Sequence, residues 1–196
     1  MRTGRQRSAL SSIGAGRPHS TTLERKMGKT PAPADLKEAR VVLDYLVHDL
    51  IVSHQLYDLF LDIGARAPVR AETEKAVRRW YVSGLILTLC KVSEFIGRYK
   101  WLVPANHQST FRSLERELSR RGIKRLRNTF IGHIYDKKTG RPITEVELNA
   151  AFNAATDNDL GAFLRWIHVS GSAPTPGTVV GILQGVHEAL GGQRGA

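Results

Sequence analysis

Arg127, Asn128 and His133 interrupt an otherwise apolar run that contains Leu126, Phe130, Ile131 and Ile134. A histidine titrates near neutral pH and can take or give a proton. An arginine keeps its charge and offers a planar fork of donors that matches a phosphate or a pentavalent phosphorane. Together they suit the cleavage of RNA through its own 2′-hydroxyl, a chemistry that calls for no metal and no cofactor. The two residues are six positions apart, about 120° around a straight α-helix. To act together they need an arginine at the helix start, a distorted turn, or a second copy of the chain across a two-fold axis.

A basic run leads into this set. Arg112, Arg116, Arg120, Arg121, Lys124, Arg125 and Arg127 face only Glu115 and Glu117 between positions 112 and 127. The first six of these are candidate contacts for RNA phosphates, because affinity for a nucleic-acid backbone comes mainly from Lys and Arg. The whole chain of 196 residues carries a formal charge of +11, which favours an anionic partner. Much of the remaining excess is a leader: residues 1–40 hold nine Lys/Arg against three Asp/Glu, among many Gly, Ser, Thr and Pro. Its first 23 residues have Arg and Ser but no acid, a composition shared with organellar transit peptides. Met27 opens a natural alternative start, and the leader reads better as a disordered arm.

The elements that must position these residues are helical. Asp35-Leu36-Lys37-Glu38 offers a cap and first turn, after which Val41, Val42, Leu46, Leu50, Leu56, Tyr57, Phe60 and Leu61 recur at helical spacing to Gly64. A second long helix is predicted from Glu72 to about Tyr99. Ser109 or Thr110 can cap a third through Arg121, ended by Gly122, and a fourth runs from near Ile123 to about Tyr135. Asp136 to Pro142 reads as a polar turn. Thr144 to Glu147 has the pattern of a capping box, and Asp157 or Asn158 can cap a helix through Phe163, Leu164, Trp166 and Ile167. A Gly/Pro/Ser linker, 170–177, precedes a short helix from Thr178 to Leu190. The expected organisation is a leader over 1–34, a helical domain over 35–169, and a linker with a short C-terminal helix over 170–196.

Arg127-Asn128 followed by His133, with five residues intervening, resembles the arginine, four-to-six residues, histidine motif of the HEPN superfamily (higher eukaryotes and prokaryotes nucleotide-binding). The string LRNTFIGHIYDKKTGRPIT resembles the same segment in the abortive-infection-type branch. The likeness extends loosely over residues 36–169. It implies an all-α fold, an up-and-down four-helix bundle with additional C-terminal helices. It also implies a homodimer whose motifs share one cleft, and an endoribonuclease of toxin or phage-defence type with an antitoxin or defence-system partner. His133 is then the general acid/base, Arg127 the stabiliser of the scissile phosphate, and Asn128 the residue that orients either. The products would be a 2′,3′-cyclic phosphate and a 5′-hydroxyl. His133-Ile134-Tyr135 also resembles the tail of HEPN toxins whose tyrosine is adenylylated, which makes Tyr135 a modification candidate. A helical RNA- or protein-binding scaffold without catalysis is the alternative.

Other features have plainer explanations. Cys90 stands alone and in apolar company, so it reads as a core residue in a reducing cytoplasm. The apolar stretch from Trp80 to Cys90 is too short to span a bilayer. His48 and His54 fit no zinc spacing and read as the polar face of a long helix. Gly28-Lys29-Thr30 lacks the earlier glycine of a P-loop and is followed by Pro31. Trp80, Trp101 and Trp166 read as core anchors.

Overall fold

The computed structural model describes residues 31–67, 70–128, 140–169, 171 and 173–191. The leader before residue 31 lies outside them. Pro33 opens α1 (Pro33–Arg66), where its missing N–H costs nothing, and Asp35 sits in the first turn. Leu43, Leu46, Leu50, His54 and Tyr57 recur on one face and are buried. α2 (Ala71–Tyr99) returns alongside, with Leu85, Leu89, Val92 and Ile96 buried against α1 and its neighbours. A 3₁₀ turn, Lys100–Leu102, leads to α3 (Ala105–Arg120). This helix begins four residues before the Ser109 cap expected from sequence. Pro104 holds an extended ψ, and its carbonyl accepts from His107 N–H at 2.9 Å, so the first turn closes there.

Gly122 takes the left-handed conformation, φ +63°, and turns the chain into α4 (Ile123–Leu126). After residues 129–139, which lie outside the described part, Thr144 caps α5 (Glu145–Ala155). Glu147 N–H donates to Thr144 Oγ1 at 3.3 Å, and Glu147 Oε2 accepts from Thr144 N–H at 3.0 Å. α6 (Leu160–Ile167) is capped by Asp159, which accepts from Ala162 N–H at 2.8 Å. Asp157 and Asn158, the caps expected there, instead form the turn before it with φ of 53° and 59°. α7 (Val179–Ala189) fills the span expected for a short C-terminal helix, with Thr178 as its cap.

The chain is thus an all-α bundle with no β-strand among its described residues. α1 packs on α2, α2 on α3, α3 on α7, and α7 back on α1. The C-terminal helix, which the sequence sets apart behind a linker, therefore closes the bundle. Val179, Val180, Leu183 and Val186 are fully buried in it. Gly181 allows the close approach: a Cβ there would stand 2.1 Å from Thr175 O. Arg40 ties the far end, donating to Gly191 O at 2.9 Å. Two expectations are corrected by this packing. His54 is buried rather than on a polar face, and Trp80 is 75% exposed rather than a core anchor. Among the described residues no helix is long and apolar enough to cross a membrane.

Candidate RNA-cleavage site

α4 is a short amphipathic step: Ile123 and Leu126 are buried, while Lys124 and Arg125 point outward. Arg127 and Asn128 continue it as a π-helical turn, and both are exposed. A wider turn of this kind often marks functional positions. Arg127 Nη1 donates to Asn128 Oδ1 at 3.0 Å, so the asparagine steadies the guanidinium. No carboxylate among the described residues meets Arg127. His133 and Tyr135 lie outside the described residues.

α4 is held to α2 through Cys90, whose Sγ stands 3.5 Å from Ile123 O. Burial pushes the Cys90 thiol up from its ordinary pKa, and the nearby Arg127 charge acts the other way. Thiolate chemistry is therefore disfavoured at this position, in keeping with its core reading.

The basic run divides in two. Arg120 and Arg121, at the end of α3, are met by acids from inside the chain. Arg120 reaches Asp157 at 2.7 and 2.9 Å and Glu117 at 2.7 and 2.8 Å. Arg121 is only 10% exposed. Its Nη1 donates to Ala155 O at 2.7 Å, its Nη2 is 3.2 Å from Asp157, and the guanidinium lies 4.7 Å over the Trp166 ring. Its Nε stands 2.8 Å from Glu117 Oε1 but out of line for a hydrogen bond. The arginine neighbours hold the carboxyls of Glu117 and Asp157 below the ordinary range. Sequence spacing gave no sign of Asp157, which is far along the chain from α3.

Arg112, Arg116, Lys124 and Arg125 meet no carboxylate among the described residues. Arg112 and Arg116 donate only to Gln108 and Ser113 on their own helix. These four cations, with Arg127, are exposed. Beside Arg125 a cleft of about 490 Å³ opens between the α3–α4 turn and α5, lined by Arg120, Arg125, Leu126, Ile143 and Ala150 among others. Glu147 at its edge is bridged bidentately by Arg141, which with the Thr144 cap brings its carboxyl down to about 2. The described residues gather no group of His, Cys, Asp and Glu that could hold a metal ion.

No family model matches the chain, and no curated protein matches it. Among solved structures it is similar to the integron cassette protein Vpc_cass2 from the mobile metagenome of V. paracholerae. The TM-score is 0.68 at 20% identity, over 83% of this chain and 99% of that one. At that identity the likeness is one of fold.

Proposed function

We propose that this protein is an endoribonuclease of the HEPN type that works without a metal, with Arg127 and His133 as its catalytic pair. The observation that supports it most is the setting of Arg127. It is an exposed guanidinium in a π-helical turn, steadied by Asn128, free of any described carboxylate, and flanked by Lys124 and Arg125. An anionic strand lying along α3 and α4 would meet five such cations, and Arg127 would take the phosphate next to His133.

In the reaction, His133 takes the proton of the 2′-hydroxyl and O2′ bonds to phosphorus. The bond to the 5′-oxygen breaks, and the protonated imidazole of His133 returns the proton to that oxygen. Arg127 stabilises the added negative charge on the phosphorane. The products are a 2′,3′-cyclic phosphate and a 5′-hydroxyl, with no water consumed. A second copy of the chain across a two-fold axis would complete the site.

The test uses a 5′-labelled RNA. His133→Ala and Arg127→Ala should each abolish cleavage while retaining the helical circular dichroism of the wild type, and wild-type activity should survive EDTA. Mixing the two inactive variants should restore part of the activity where the pair forms between chains. Full cleavage by folded His133→Ala, with contaminating nuclease controlled, would leave a non-catalytic RNA-binding scaffold as the better reading.

A further inference from the structure

α1 is apolar on two opposite faces. One holds Leu43, Leu50 and Tyr57 in the core. Leu59 lies nine residues past Leu50, about 180° around the axis, and it is 54% exposed. It belongs to a stripe of Val41, Tyr45, His48, Val52, Leu56, Leu59 and Ile63. All are exposed except Val52, which is partly so. The steps along it run four, three, four and then four, three, four again, an 11-residue period. At 3.67 residues per turn this period keeps the stripe on one side of a nearly straight helix for about 33 Å.

α2 widens the face. Trp80, Leu87 and Lys91 share one side of that helix, and Lys91 reaches across to Asp49 on α1 at 3.7 Å. Tyr57 and Tyr81 stack at 4.2 Å and fix the register. Trp80, 75% exposed, and Leu87, 40% exposed, therefore extend the α1 stripe into a two-helix apolar surface. Its exposed apolar side chains amount to on the order of 700 Å², above the largest patch of most monomers and close to the roughly 800 Å² per partner of a stable interface.

We propose that this face docks a second copy of the same chain, α1 against α1 about a two-fold axis. The identical stripe supplies what a straight 11-residue pattern requires, a long straight helix of the same period. Two of the acids at its border are met within one chain, Asp62 by Arg66 and Asp49 by Lys91, which lowers the repulsion between two copies. In a chain of net charge +11, a neutral apolar face suits protein rather than RNA. The inference deepens the nuclease reading by naming the dimer face that reading needs. Leu87 lies one turn from Cys90, which touches α4.

Sedimentation velocity on the full chain at micromolar concentrations should give twice the 21.8 kDa of one copy. The double variant Leu59→Glu/Trp80→Glu should raise the dimer dissociation constant about 100-fold or more, as loss of large apolar anchors does. Its circular dichroism should be unchanged. Val146→Glu, an equally exposed apolar site on α5, should leave the dimer intact. A monomeric wild type, or a dimer that the double variant does not weaken, would overturn the proposal. A dimer lost in the double variant, beside full cleavage by His133→Ala, would leave the interface standing and the nuclease reading refuted.

Discussion

Arg121→Ala should cost stability rather than RNA affinity, in contrast to the same change at Arg116. Arg121 is 10% exposed and donates to Ala155 O at 2.7 Å. A hydrogen bond from a charged group contributes about 1.5–3 kcal/mol, part of which is the cost of leaving the carbonyl unpaired. Its guanidinium also covers Trp166 and Phe163 at 4.7 and 5.4 Å, an interaction worth about 1 kcal/mol. The ionic contribution is smaller, because Arg120 continues to pair with both Glu117 and Asp157 after the change. The total is about 3 kcal/mol, at the lower end of what breaking a buried pair costs. Urea unfolding followed by circular dichroism would show this as a lower midpoint with little change in slope. Arg116→Ala removes only a hydrogen bond to Ser113 and should stay within about 0.5 kcal/mol of the wild type. Fluorescence anisotropy with a labelled RNA supplies the second readout. An Arg121→Ala protein as stable as the wild type, yet weaker than Arg116→Ala in RNA affinity, would refute the division of the basic run.

Replacing Arg112, Arg116, Lys124 and Arg125 together by Ala should lower the salt dependence of RNA binding, the log–log slope falling by about 0.7 for every phosphate of a single strand that is no longer neutralised; an unchanged slope makes the run a solvated face. Burial holds the ordinary pKa of His54 and His168 down, against an opposing pull from Asp58. The unfolded chain then binds more protons below the ordinary value of 6.5. Stability should be complete above about 6.5 and decline as pH falls from there toward the folded-state values. A urea midpoint that does not move between neutral and mildly acidic pH would contradict this, and His54→Gln/His168→Gln should remove the effect. Gly181→Ala should destabilise by about 1–3 kcal/mol despite the better helix propensity of alanine, because the new Cβ meets the Thr175 carbonyl, a backbone atom. A thermal midpoint equal to the wild type would show that the linker yields.

Element type was legible wherever the local pattern had one dominant face. The second helix, the Thr144 capping box and the short C-terminal helix follow from residues within a few positions of each other, and the structure has them there. The long first helix was legible in extent, but its two apolar faces overlapped in the sequence. Leu46, Leu50 and Tyr57 are core, while Val41, Leu56 and Leu61 are exposed, and a single helical period fits both sets. Trp80 was misread for the same reason, since its neighbours Tyr81 and Leu85 are buried and its own side of α2 is not. The division of the arginines was beyond sequence pattern, because it depends on Asp157 arriving from a distant turn in a left-handed conformation. At the candidate site the residue types were legible and the π-helical turn was not.

The single cysteine has a practical consequence. Cys90 Sγ lies under Ile123 at the seam between α2 and the motif helix, and the chain has no other thiol. A thiol reagent can reach it only when that seam parts, so the rate of labelling under native conditions is a clock for the lifting of α4 from α2. Run at several reagent concentrations, the clock separates how often the motif helix opens from how quickly it closes. One unmodified residue thus makes the local dynamics of the proposed catalytic helix measurable without any introduced probe.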